Sequence, residues 1–140
     1  MYNKILVSVD TSSVSKRALH HAFQLARSTG SKLTVLYVQQ IILFYYGALG
    51  PEGKCVSLSK LEGEDILNNL LQELDINPAS VCQRTATGNS ALLIPAIAKE
   101  EKVNLIVLGI KNFGILSSIL QDNTQQTVLK YAPCPVLIVK

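Results

Sequence analysis

The chain has 140 residues with a formal net charge of +3; hydrophobic residues make up 48% and charged residues 16%. That fits one domain with a substantial core and excludes a disordered chain. The modest charge, with no Lys/Arg run and no basic stripe with aromatics, argues against nucleic-acid binding, and the low charged fraction points to a surface partly covered by a partner.

The three cysteines, Cys55, Cys82 and Cys134, are odd in number and far apart, with no CxxC or Cys/His spacing. They suggest reduced thiols in a cytoplasmic protein instead of a disulfide framework or a zinc site. Met1 leads straight into a strand-like run, without the basic and apolar regions of a secretory signal. The most apolar run, Ile41–Tyr46, is far too short to cross a bilayer, so no membrane association is expected.

In chain order, Lys4–Asp10 reads KILVSVD, the near-continuous Val/Ile/Leu of a strand buried on both faces. TSSVS then offers helix N-caps. A helix follows over about 14–28, with Val14, Ala18, Ala22 and Leu25 on one face and Lys16, His20, Gln24 and Arg27 on the other. Gly30 ends it. Ser31–Val38 is a second strand. The region 39–57 is long and broken by Gly47, Gly50, Pro51 and Gly53. A leucine-rich helix covers 58–74, a third strand about 80–86, and a helix capped by Gly88-Asn89-Ser90 runs over 89–101. Pro95 inside that helix removes one backbone hydrogen bond. Asn104–Gly109 is a fourth buried strand, a short helix covers about 123–131, and a last strand starts near Pro135. Alternating strands and helices mean βαβ units, a parallel sheet and helices on both faces.

In such a sheet, ligands bind beyond the carboxyl ends of the strands at the switch in strand order. Asp10-Thr11-Ser12, Val38 with the residues after it, and Gly109 with its loop should meet there. The pieces ILVSVD, LTVLYV and NLIVLG, and above all TVLKYAPCPVLIVK after a Gly-containing loop, resemble the universal stress protein family from end to end, apart from the variable 39–57 segment. The resemblance implies a Rossmann-like α/β fold of the adenine nucleotide alpha hydrolase-like type: an open five-stranded parallel sheet in the order 3-2-1-4-5, forming one domain over 1–140.

It also implies a site. Nucleotide-binding members hold ATP in this crevice with a loop of Gly, two residues, Gly, nine residues, then Gly and Ser or Thr. Glycines let backbone N–H groups reach phosphates, and the helix start adds a dipole end and a hydroxyl. Here Gly109 matches the first glycine, but Asn112 stands at the second, and Asp122 and Asn123 replace the closing pair. A carboxylate about 4 Å from a phosphate costs roughly 1 kcal/mol in water and about 4 kcal/mol at an effective dielectric near 20. Asp and Asn are strong N-caps, so Asp122 or Asn123 is expected to cap the last helix in place of a ligand. The nucleoside side is better kept. By the same resemblance, Asp10 matches the aspartate ending the first strand, Val38 the residue whose backbone contacts adenine, and Leu108 an apolar residue beside the base. Val38 and Leu108 would equally be core residues in any version of the fold, and Asp10 could simply cap the TSSVS turn.

Other signals carry less. His20 and His21 are adjacent and cannot chelate one metal as an i, i+4 pair could. No GxSxG elbow supports a hydrolase and no GxxxxGK[ST] a P-loop. Glu62, Glu64 and Asp65 read as helix-start acids that suit the dipole. Cys134 between two prolines is expected to pack. Ile41–Tyr46 is either a partner surface or a run tucked under a helix.

The expected function is that of a non-enzymatic stress-response binding protein without tight ATP binding; the alternative is a member that binds ATP or AMP with weak or no hydrolysis. The resemblance implies homodimers in which the edge residues Val136, Leu137, Ile138 and Val139 pair antiparallel across a two-fold axis. Such closure would also remove an aggregation-prone apolar edge.

Overall fold

The computed structural model describes residues 2–39, 58–110 and 124–140. Strands β1 (Lys4–Val9), β2 (Lys32–Gln39), β3 (Cys82–Thr87), β4 (Leu105–Gly109) and β5 (Val136–Val139) form one sheet in the order β3-β2-β1-β4-β5. Every neighbouring pair is parallel. Helices α1 (Ser13–Thr29), α2 (Leu58–Glu73), α3 (Ser90–Glu100) and α4 (Thr124–Tyr131) supply the crossovers. The expected fold and strand order are therefore those observed.

The sheet separates two apolar layers. Ile5, Val7 and Val9 of β1 pack with Leu19 and Ala22 of α1 and Leu67 and Leu71 of α2. Leu6, Leu36, Ile106 and Leu108 point the other way, onto Ile94 and Ile97 of α3 and Val128 of α4. This explains why β1 and β4 read as unbroken apolar runs: both strand faces are covered. β3, at one edge, is mostly exposed and polar, which suits an open edge. α3 continues through Pro95, which lies buried.

Three helices end alike. Gly30 takes a left-handed φ of 68°, and Ser31 N–H reaches back to Ala26 O at 3.0 Å. Asp75 and Lys102 both adopt φ 55°, followed by Ile76 N–H to Leu71 O at 2.8 Å and Val103 N–H to Ala98 O at 2.9 Å. This is the left-handed cap that glycine adopts without strain. Lys102→Gly should therefore stabilise the fold by about 1 kcal/mol, raising the thermal midpoint by ~3 °C in a melting experiment.

Two expectations are corrected. Glu62, Glu64 and Asp65 are not at a helix start: α2 begins at Leu58, and its first turn holds no acidic residue. The dipole acts within the first turn, so it does not account for them. The third strand starts later than expected, at Cys82, because Asn77 first caps a short 3-10 turn over Pro78–Ser80.

Candidate functional site

Strand order reverses between β1 and β4, so the crevice lies beyond their carboxyl ends. Val9 pairs with Tyr37, which brings Asp10, one residue on, level with Val38. Ser8 pairs with Leu108, which brings Gly109 level with Val9. The register thus assembles Asp10, Val38, Leu108 and Gly109 around one opening. Asn112, Asp122 and Asn123, and the Ile41–Tyr46 run, lie outside the described residues.

Asp10 is exposed at the rim. Its Oδ1 accepts from Ser12 N–H at 2.7 Å, and its own N–H donates to Ser15 Oγ at 2.6 Å. Ser12 is the N-cap of α1, with its hydroxyl accepting from Ser15 N–H at 3.2 Å. Asp10 therefore does close the turn into α1, as its sequence context suggested. Ser15 is the residue that sequence reading missed. It is the single buried polar residue among the described residues, and its hydroxyl holds the end of β1 against the first turn of α1.

Val38 is half-buried and Leu108 is buried, both against the α3–α4 layer. Both lie on the same face of the sheet, near the carboxyl ends of β2 and β4. On the opposite sheet face stands Tyr37, whose hydroxyl is held above its ordinary pKa, first by burial and then by the carboxylates of Glu62 and Asp10. It stays a neutral hydrogen-bonding group throughout the physiological range. Gln39, the last residue of β2, has a buried Oε1 with no hydrogen-bond partner among the described residues.

Gly109 has a physical reason to be glycine. A Cβ there would stand 2.6 Å from Val14 Cγ1, 2.9 Å from Val14 O and 3.0 Å from Val14 C. The first turn of α1 lies directly on the end of β4, and no side chain fits between them. No sequence signal links positions 14 and 109.

The remaining candidates lie away from the crevice or serve the fold. His20 and His21 are exposed on α1. Cys134 packs on the α3–α4 layer, and burial pushes its thiol pKa up, partly offset by the Ile106 N–H, which would favour a thiolate. Arg84 binds Glu101 at 2.7 Å and Glu100 at 3.0 Å, tying β3 to the end of α3. These partly exposed pairs contribute little to stability. No group of three or more metal-ligating side chains occurs among the described residues. No helix among them is long and apolar enough to cross a membrane.

The universal stress protein family model matches residues 1–140. The chain belongs to the universal stress protein family. It is 30% identical to a universal stress protein of Methanocaldococcus jannaschii, over the whole chain and 83% of that protein. It is also 30% identical to one from Bacillus subtilis over the full length of both. Among solved structures, universal stress protein UspA from Lactobacillus plantarum superposes with a TM-score of 0.79 at 25% identity, covering 99% of this chain and 98% of that one.

Proposed function

We propose that this universal stress protein is a non-enzymatic, cytoplasmic binding protein that works as a homodimer and takes an adenine mononucleotide without holding ATP tightly. The observation that carries the reading is the contact between Gly109 and Val14. Gly109 is the one glycine of the family's phosphate loop that this chain keeps at its place, and packing against α1 already requires it. At the loop's other three places the sequence carries Asn112, Asp122 and Asn123, which have lost glycine and hydroxyl.

The nucleoside end of the crevice is supported differently. Val38 and Leu108 offer an apolar wall, and Asp10 stands exposed at its rim. Two proteins of this fold were solved in complex with cAMP and with dAMP, the second from Archaeoglobus fulgidus. Both ligands carry a single phosphate. That chemistry suits a crevice that keeps the base wall and whose loop carries Asp122, in sequence, at the place of the family's closing glycine.

The homodimer is supported by β5. All four of its residues are apolar and half-exposed, and no strand among the described residues pairs with its outer edge. Beside it, α4 exposes Leu129 at 54% and Tyr131 at 58%. A second copy of the same edge covers such a surface with closed two-fold symmetry. The apolar Ile41–Tyr46 run remains a candidate site for a protein partner on sequence grounds alone.

The first test is mass spectrometry of ligand released from freshly purified protein. Adenine monophosphates, or no nucleotide, are expected. Stoichiometric ATP would overturn the reading.

A further inference from the structure

The backbone groups of β5 fall into two rows. The carbonyls of Pro135 and Val139 point inward and accept from Ile106 N–H at 3.0 Å and Ile110 N–H at 2.9 Å. Backbone groups alternate in an extended strand, so the N–H and C=O of Val136 and Ile138 face the free edge. The outward row would continue at Lys140. There the carbonyl is already engaged, accepting at 3.1 Å from Nε of Arg17, which reaches across from α1.

We infer that Arg17 ends the open edge and so fixes the register of the two-fold β5 pairing, centred on Leu137. The inference rests on the homodimer reading above. In an antiparallel two-fold pair, outward residues must face outward residues, and three registers set Val136 or Ile138 opposite Val136 or Ile138 of the second copy. A centre on Val136 sets Ile138 opposite Cys134, which lies before the strand begins. A centre on Ile138 sets Val136 opposite Lys140, whose carbonyl Arg17 holds. A centre on Leu137 sets Val136 opposite Ile138 on both sides of the axis, and every outward group finds a partner. Arg17 is thus a positioning residue: it touches its own chain and acts by disfavouring the register in which Val136 N–H would have to share the Lys140 carbonyl with it.

Leu137 then faces its own copy as a non-hydrogen-bonded pair, with Cα atoms about 4.5 Å apart, within disulfide reach. Residues 136 and 138 stand diagonal to their own copies, too far apart to bridge.

The experiment compares Val136→Cys, Leu137→Cys and Ile138→Cys in separate chains under mild oxidation, with crosslinked peptides mapped by mass spectrometry. Sedimentation in reducing buffer gives the oligomeric state of each. The expected result is a dimer in which the symmetric crosslink forms at Leu137→Cys and is largely absent at the other two. Adding Arg17→Ala should shift crosslinking toward Ile138→Cys, and Arg17→Lys should restore the original pattern. A dimer that crosslinks at 136 or 138 instead, or a pattern indifferent to Arg17→Ala, would overturn the register and leave the dimer standing. A monomer in every chain would overturn the homodimer reading and the register with it.

Discussion

Gly109→Ala is expected to destabilise the protein by about 2–3 kcal/mol, whether or not a nucleotide is present. The added methyl would meet Val14 Cγ1 at 2.6 Å and the Val14 carbonyl oxygen at 2.9 Å. A side chain can rotate away, but the carbonyl belongs to the first turn of α1, so α1 must move as a whole. Overpacking of this kind typically costs about 1–3 kcal/mol, and a backbone contact puts this case in the upper part of that range. The thermal midpoint should fall by roughly 6–10 °C. Adding Val14→Ala should recover only part of the loss, because the carbonyl contact remains. Urea unfolding measures both variants. If Gly109 served only phosphates, Gly109→Ala would unfold at the parent's urea concentration.

Ile138→Lys is expected to turn the proposed dimer into a monomer at low micromolar concentration. In the paired edge its backbone would bond to the second copy, with neighbouring apolar groups on both sides. A lysine brings two like charges near the axis, and an edge lysine is a common natural guard against strand pairing. Ile138 also packs partly against the α3–α4 layer, so some loss of stability accompanies the change. Far-UV circular dichroism distinguishes a folded monomer from an unfolded chain. A sedimenting mass unchanged from the parent would remove β5 from the interface.

Much of the fold was legible because local and tertiary demands coincide. KILVSV and LIVLG are apolar at nearly every position, and each forms a strand covered on both faces. TSSVS announced a helix start, and Ser12 caps it. Gly30 announced a helix end. Asp75 and Lys102 do the same work with side chains that disfavour it, so composition gave no sign of their caps.

The site was harder to read, for a different reason. Gly109 sits where the resemblance places a phosphate-loop glycine, but the contact that requires glycine comes from Val14, far away in sequence. Arg17 reads as an ordinary helix-surface cation until its contact with Lys140 is seen, 123 positions on. Ser15 reads as part of a capping run, yet its hydroxyl receives the Asp10 N–H inside the protein. Each role depends on a pairing that tertiary structure creates. By contrast, Asn112, Asp122 and Asn123 were legible as departures once the resemblance supplied the family's loop pattern.

The proposed function requires that the crevice keep its nucleoside wall and lack a triphosphate cradle. Calorimetric titration of the purified protein with AMP and with Mg-ATP is the sharpest test. A carboxylate near the phosphates costs about 1–4 kcal/mol depending on exposure, which corresponds to roughly tenfold or more in affinity. The prediction is saturable AMP binding with Mg-ATP at least about tenfold weaker. Mg-ATP binding as tight as AMP, or tighter, would contradict it.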